Sequence, residues 1–298
     1  MKEQVQAFIN SLQQGSRNRS PLTLQSYERD LSQLLRYLDS EGIGRVQDIQ
    51  KHHLSLYVLQ LKGLGRSAAT ISRQLVSLRA FFHYLLAAGR VTANPTLHLE
   101  PPKQDKRVPD ALSLEEVERL LAAPDTATIA GIRDQAMLEL LYATGMRVSE
   151  LISLDLEHVQ LMLGFIRCMD AKAKERIIPL GGAAADALTS YLGDVRPQLA
   201  KNGGEALFLN RQGGRMTRQG FWKIMKKYAS EAGIGSELTP HSLRHAFASH
   251  LLQNGADLHS VQEMMGHAGL QTTQKYVQQA KTRIKDVYQL AHPRAKRL

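Results

Sequence analysis

Five side chains carry the chemistry that can be read first. Arg147 lies in Thr-Gly-Met-Arg-Val-Ser-Glu-Leu (144–151), His241 and Arg244 in Pro-His-Ser-Leu-Arg-His (240–245), His267 in Met-Gly-His, and Tyr276 in Thr-Thr-Gln-Lys-Tyr. Guanidinium groups are permanent cations suited to anionic oxygens, and imidazoles move protons near neutral pH. Each residue also has an ordinary structural reading: Arg147 can pair with Glu150, His267 can cap a helix, and Tyr276 can sit in a core. Other chemistries lack their residues. No G-x-x-x-x-G-K-[ST] or G-x-G-x-x-G is present to cradle a nucleotide, and no G-x-S-x-G forms a nucleophile elbow. His241 and His245 would share a helix face, but HSLRH lacks the Glu of H-E-x-x-H and sets Arg244 beside any metal. Cys168 is the only cysteine, which excludes an intrachain disulfide and a cysteine-based zinc site. Neither a metal nor another cofactor is expected.

The chain that must position these groups has 298 residues, 43% hydrophobic and 22% charged, enough for two ordinary domains with real cores. Its 38 Lys and Arg outnumber 28 Asp and Glu, a net charge of +10 that favours a polyanionic partner, nucleic acid before acidic membrane. A basic fold with no such partner is the plainer alternative. The N-terminus has no apolar stretch of signal-peptide type, and runs such as Leu54–Leu61 are too short to span a bilayer. A cytoplasmic protein without a membrane partner is expected.

The clearest boundary is EPPKQDKRVPDAL (100–112), rich in proline and charge and without helical periodicity. It predicts a domain over 1–99, a linker over 100–112 and a second domain over 113–298. The first domain reads as a four-helix bundle. Ser20-Pro21 caps a helix that runs to about Ser40 with Leu24, Tyr27, Leu31, Leu34, Leu35 and Leu38 at helical spacing, and Gly42 and Gly44 end it. From Ser67 to Ala88, Ile71, Leu75, Leu78, Phe82 and Leu85 mark one buried stripe. The second domain reads as α+β. Ser113–Glu116 is a capping box, Ile132–Ala143 an apolar helix stopped by Gly145, and Phe165–Met169 with Arg176–Leu180 a hairpin. Helices follow at about 182–192, 217–232, 241–254 and 257–265.

Charge patterning adds two candidate nucleic-acid faces. Between Ile49 and Leu99 there is no Asp or Glu, while Lys51, Lys62, Arg66, Arg73, Arg79 and Arg90 fall inside the window. Arg211, Arg215, Arg218, Lys223, Lys226 and Lys227 form a second acid-free run, interleaved with Phe221 and Trp222. A solvated helix face normally mixes both signs, so both runs are expected to meet phosphates.

Taken together, TGMRVSEL, HSLRHAFASHLL and MGHAGLQTTQKY resemble the tyrosine recombinase (integrase) signature in order and spacing, and the N-terminal half, including TLQSYERDL, is similar as well. Within that family the likeness is to the Xer subgroup. The resemblance implies a SAM-like core-binding domain and a catalytic domain that clamp duplex DNA from opposite sides. It implies that Tyr276 attacks a phosphodiester to give a 3′-phosphotyrosine and a free 5′-hydroxyl, with Arg147 and Arg244 clamping the phosphate. His241 matches the family's proton-handling position and His267 the position that hydrogen-bonds the phosphate. A tyrosine hydroxyl needs such help, because its ordinary pKa is about 10.

One segment departs from the pattern. Where the family carries a lysine in G-K-G-x-K-E-R, thought to protonate the leaving 5′-oxygen, this chain reads Asp170-Ala-Lys-Ala-Lys-Glu-Arg176. Anchoring on KERIIPL puts Ala171 in the lysine column and Lys172 one place later. Either the turn re-registers and Lys172 serves, the reading favoured here, or the general acid is missing.

The partners implied are double-stranded DNA carrying a dif-like site, a second Xer-type recombinase in a tetramer, and a septal DNA translocase (FtsK-like) near the C-terminus. The segment Lys281–Leu298 would dock into a neighbouring subunit, or serve as a plain basic tail on DNA. Two rivals stay open. A phage or mobile-element integrase would use the same residues, though no arm-binding domain is read before residue 1. An architectural DNA-binding protein with impaired catalysis is favoured only by the altered turn.

Overall fold

The computed structural model describes residues 1–14, 19–102, 111–169, 175–201, 204–235 and 238–266. The chain separates into two compact units, Met1–Arg107 and Val108–Leu298.

The first unit is built on α1 (Lys2–Gln14), α2 (Pro21–Ser40), α3 (Lys51–Gly63) and α4 (Ala68–Ala87). The two longer helices start where sequence chemistry puts them. The Ser20 hydroxyl accepts the Thr23 amide at 3.2 Å ahead of Pro21, and Ser67 accepts the Thr70 amide at 3.2 Å. Leu31, Leu34 and Leu38 of α2 meet Ile71, Leu75, Leu78, Phe82 and Leu85 of α4, with Phe8 of α1 and Leu54, Tyr57 and Leu61 of α3 completing the core. One charge is buried with them. Asp30 of α2 is 1% exposed and accepts hydrogen bonds from Arg73 and, at 2.8 Å, from the Ser77 hydroxyl of α4.

That pair gives Arg73 a partner that the local sequence does not show. The window 49–99 lacks acids, but an acid from another helix reaches it, so Arg73 has a carboxylate partner while its side chain stays 41% exposed. Arg79 likewise donates to the Leu99 carbonyl.

The second unit opens with α5 (Leu114–Ala122), whose Ser113 and Glu116 exchange both bonds of the capping box, at 2.8 and 3.1 Å. The apolar helix α6 (Ile129–Thr144) is enclosed on nearly every side, and Gly145 ends it in a left-handed conformation at φ 56°. No other residue fits there: a Cβ would lie 2.2 Å from the Phe247 ring. The short helix α7 (Val148–Ser153) follows at once.

A three-stranded antiparallel sheet then runs β1 (Val159–Gln160), β2 (Phe165–Met169), β3 (Glu175–Pro179), in that order. Ile166 pairs with Ile178 and Cys168 with Arg176, and that face turns inward, leaving Met169 and Ile177 exposed. Here the hairpin differs from expectation in two ways. Its second strand begins and ends one residue earlier, and a third strand joins, too short at two residues to show an alternation.

Helices α8 (Gly182–Ser190) and α9 (Arg196–Leu199) are joined by one π-helical turn, Tyr191–Val195. The helical segment therefore continues past the expected end near 192, through a turn that absorbs the approach to Pro197. Among the described residues the last helices are α10 (Arg218–Glu231), α11 (Pro240–Gln253) and α12 (Leu258–Met265), within two residues of expectation. Most of the second unit shares one core that runs from Leu112 to Ala246, and Phe247, Ala248, Val261 and Met265 form a smaller cluster under α12. The molecule is mainly helical with one small sheet, as the sequence predicts.

Candidate active site

The site is assembled at the corner between α6 and α7. Once Gly145 has stopped α6, Arg147 occupies the N-cap of α7 and Glu150 its third position. Glu150 accepts the Arg147 amide at 2.7 Å and the Arg147 guanidinium at 2.9 Å. Amides at a helix start have no partner within the helix, and the dipole there favours an anion, so Glu150 satisfies both demands. Arg176 of β3 adds two further bonds to the same carboxylate, at 2.7 and 3.2 Å. Burial alone raises the Glu150 pKa, but Arg176 and then Arg147 outweigh it and hold the carboxyl below its ordinary value. The neighbouring Cys168 thiol is pushed up to about 12, chiefly by burial, and is therefore unreactive at neutral pH.

Arg244 comes from α11. It is 5% exposed and donates to the Gly145 carbonyl on one side and the Met265 carbonyl on the other. Arg176 donates to the Met264 carbonyl at 2.8 Å. The carbonyl end of α12, where the helix dipole is negative, therefore rests on two guanidiniums. Arg147 and Arg176 share the Glu150 carboxylate and Arg244 joins the corner through the Gly145 carbonyl, so among the described residues the corner has more cations than acids. Arg147 differs from the other two in keeping a side-chain exposure of 39%, so it can still meet a solvent-borne anion.

The comparisons with known proteins agree on the family. Residues 110–283 match the Phage integrase family, and residues 5–89 match the Phage integrase, N-terminal SAM-like domain. The chain is 45% identical to "Tyrosine recombinase XerD" of Listeria monocytogenes serotype 4b over 99% of its own length and 100% of the relative's. It is 48% identical to the protein of the same name from Oceanobacillus iheyensis, covering 94% and 95%. The chain is a tyrosine recombinase of the phage integrase family. Both of these relatives carry the XerD name, the type that its stretches RDQAMLELLYATGMRVSEL and MTRQGFW also resemble. In fold it is similar to the XerH site-specific recombinase bound to palindromic difH substrate, with a TM-score of 0.77, 23% identity and coverage of 97% and 89%.

For a tyrosine recombinase the geometry brings together two of the five residues singled out, Arg147 and Arg244, through the Gly145–Arg147 corner. His241 stands in the first turn of α11, exposed, one turn before Arg244 and so on the same side of the helix. His245, by contrast, is buried, so the two histidines do not form a common open site. No cluster of metal-ligating side chains occurs among the described residues. Lys172, His267 and Tyr276 lie outside the described residues, as does most of the linker.

Of the basic residues expected at phosphates, Lys51, Lys62, Arg66 and Arg90 are exposed on the first unit. On the second, Arg211, Arg218, Lys223, Lys226 and Lys227 are exposed. Arg215 is exposed too, with its guanidinium on Asp155 and the Ile152 and Leu154 carbonyls. The aromatic interleaving is corrected too: Phe221 is fully buried in the core, and Trp222 is half-buried with Lys226 Nζ 5.3 Å from its ring centroid. Helical periodicity, not base stacking, accounts for Phe221.

The residue that sequence reasoning missed is Arg176. Its signal was present in KERIIPL, where it shares strand parity with the core residue Ile178. A charge at an inward strand position requires a buried partner, and Glu150 is that partner.

Proposed function

We propose that this recombinase cuts and rejoins DNA strands at a dif-like site and resolves chromosome dimers together with a second Xer-type recombinase. The observation that carries this reading is the joining of Arg147 and Arg244 at one positive corner, in a chain that belongs to the family throughout its length. In the proposed reaction the Tyr276 oxygen attacks phosphorus and the P–O5′ bond breaks, leaving a 3′-phosphotyrosine and a 5′-oxygen that takes up a proton. His241 handles the proton of the tyrosine, His267 hydrogen-bonds the phosphate, and Lys172 protonates the leaving oxygen. Arg147 and Arg244 neutralise the charge that grows on the non-bridging oxygens. The phosphoryl bond energy is kept in the intermediate, so rejoining needs no nucleotide cofactor.

In the same reading residues 1–99 and 113–298 are the core-binding and catalytic domains, joined by a linker over 100–112. Lys51, Lys62, Arg66, Arg90, Arg211, Arg218, Lys223, Lys226 and Lys227 supply phosphate contacts, which position the protein without reading bases. The working unit is a tetramer in the cytoplasm, and a septal translocase contacts it near the C-terminus. Among the described residues no helix is long and apolar enough to cross a membrane.

Covalent trapping tests the reading. The full chain is incubated with nicked duplexes carrying dif-like sites, with and without its partner, and quenched with detergent. A protein–DNA adduct absent from Tyr276→Phe is the expected result, and Lys172→Ala should form it about 10²–10⁴-fold more slowly if Lys172 is the general acid. Tight binding of the native chain without an adduct would favour the architectural reading, for which the altered turn at 170–176 is the specific argument.

A further inference from the structure

Arg176 has no part in the reaction as written above, yet it occupies the most demanding position near the site. Its side chain is 9% exposed, on the inward face of β3 opposite Cys168. A guanidinium is rarely so enclosed unless its donors are all directed to partners. Here one edge takes both oxygens of Glu150, and Nε takes the Met264 carbonyl of α12. The chain leaving α12 lies directly against the same group: Gly266 has φ +62°, and a Cβ there would approach Arg176 Nη1 to 3.0 Å and Cζ to 3.2 Å. The adjacent carbonyl, that of Met265, is held by Arg244.

We infer that Arg176 is a positioning residue of the recombination site, joining the carboxylate that holds Arg147 to the last turn of α12. This inference rests on the recombinase reading. Through Glu150 it sets the guanidinium of Arg147, and through Met264 it sets the point at which the chain leaves α12, so both keep one register. A lysine cannot substitute, because one ammonium does not span the two directions that the planar fork serves. Arg176 acts on the phosphate through these partners.

The test uses the full chain and the same nicked duplex under single-turnover conditions. Arg176→Met and Arg176→Lys should each slow adduct formation about 10²-fold, the scale of a misplaced reacting group, while DNA affinity stays unchanged. The pH dependence separates positioning from general loss of structure. Glu150 faces Arg147 from α7, Cys168 from β2 and Arg176 from β3, with Arg244 of α11 beyond Cys168. Without Arg176 the buried carboxyl binds a proton more readily, so the acid limb of the rate profile should move to higher pH. Adding Glu150→Gln should remove that movement and leave the double variant no slower than Arg176→Met alone. Arg176→Lys carries the comparison if Arg176→Met does not fold. Effects that multiply in the double variant, or an unmoved acid limb, would overturn the inference while leaving the recombinase reading intact. A native chain that forms no Tyr276-dependent adduct overturns both.

Discussion

Among its described residues the second unit buries two carboxylates beside arginine, and their pKa values are shifted in opposite directions. Glu150 receives the Arg147 amide, the Arg147 guanidinium and a two-bond contact from Arg176, and its pKa is lowered in spite of burial. Asp134, inside α6, receives two bonds from Arg133 at 2.7 and 2.9 Å and one from the Tyr228 hydroxyl at 3.1 Å. There burial wins and the pKa is raised. The difference lies first in the second arginine, since Arg176 as well as Arg147 holds Glu150 whereas Asp134 has Arg133 alone, and then in position along the helix. Glu150 sits in a first turn, where an unpaired amide and the dipole stabilise an anion, whereas the interior of α6 has no spare amide to offer. The Asp134 cluster ties α6 to α10 and to the Leu209 carbonyl, with one arginine for one acid. At the Glu150 corner two arginines share one acid, and Arg244 adds a third cation through the Gly145 carbonyl. A balanced cluster joins elements; a surplus of cation attracts an anion.

Breaking the balanced cluster should have the largest effect on stability and none on chemistry. Arg133→Met leaves Asp134 buried without its cation and should cost about 3–5 kcal/mol in urea unfolding. Adduct formation per folded molecule should stay at the native rate. Breaking the surplus cluster should do the reverse. Arg147→Ala should slow phosphotyrosine formation about 10²–10³-fold, as removal of one charge-stabilising donor does. Its thermal midpoint should move much less than that of Arg133→Met, because Arg147 is more than a third exposed and Arg176 still pairs with Glu150.

A smaller effect sharpens the contrast through pH. Glu150, with its lowered pKa, adds stability above its unfolded value that is lost as pH falls through the folded one. Asp134, with its raised pKa, has the opposite sign: its ionised form is the less stable in the fold, so relative stability is gained on protonation. The gap in thermal midpoint between the native chain and Glu150→Gln should therefore narrow from neutral pH toward acid, while the gap to Asp134→Asn widens. Calorimetry across that range would show both slopes. Smallest of all, Lys62→Ala or Lys223→Ala should each lower the slope of log affinity against log salt by about 0.9, the value for one phosphate contact. Arg73→Ala should leave that slope unchanged, since Arg73 is engaged with Asp30.

Much of this arrangement was legible in the sequence, for local reasons. Caps at Ser20, Ser67 and Ser113, the stop at Gly145 and the leucine stripes of α2 and α4 are written in neighbouring residues, and the elements follow them closely. Arg147 and Arg244 could be named as candidates because each sits in a recognisable string. The partners across the chain were not legible. Asp30 with Arg73 spans 43 residues, and Glu150 with Arg176 spans 26, so a count of charges in a window misses both. Phe221 shows the same limit: an aromatic beside lysines reads as a stacking surface until the helix turns it into the core.

In the proposed reaction the arginine-rich corner handles the DNA phosphate while the α6–α10 cluster only supports it. The most direct measurement is the single-turnover rate of phosphotyrosine formation, per folded molecule, in Arg147→Ala beside Arg133→Met. A loss of about 10²–10³-fold is expected in the first and none in the second. Equal losses in the two, or a native rate in Arg147→Ala, would contradict it.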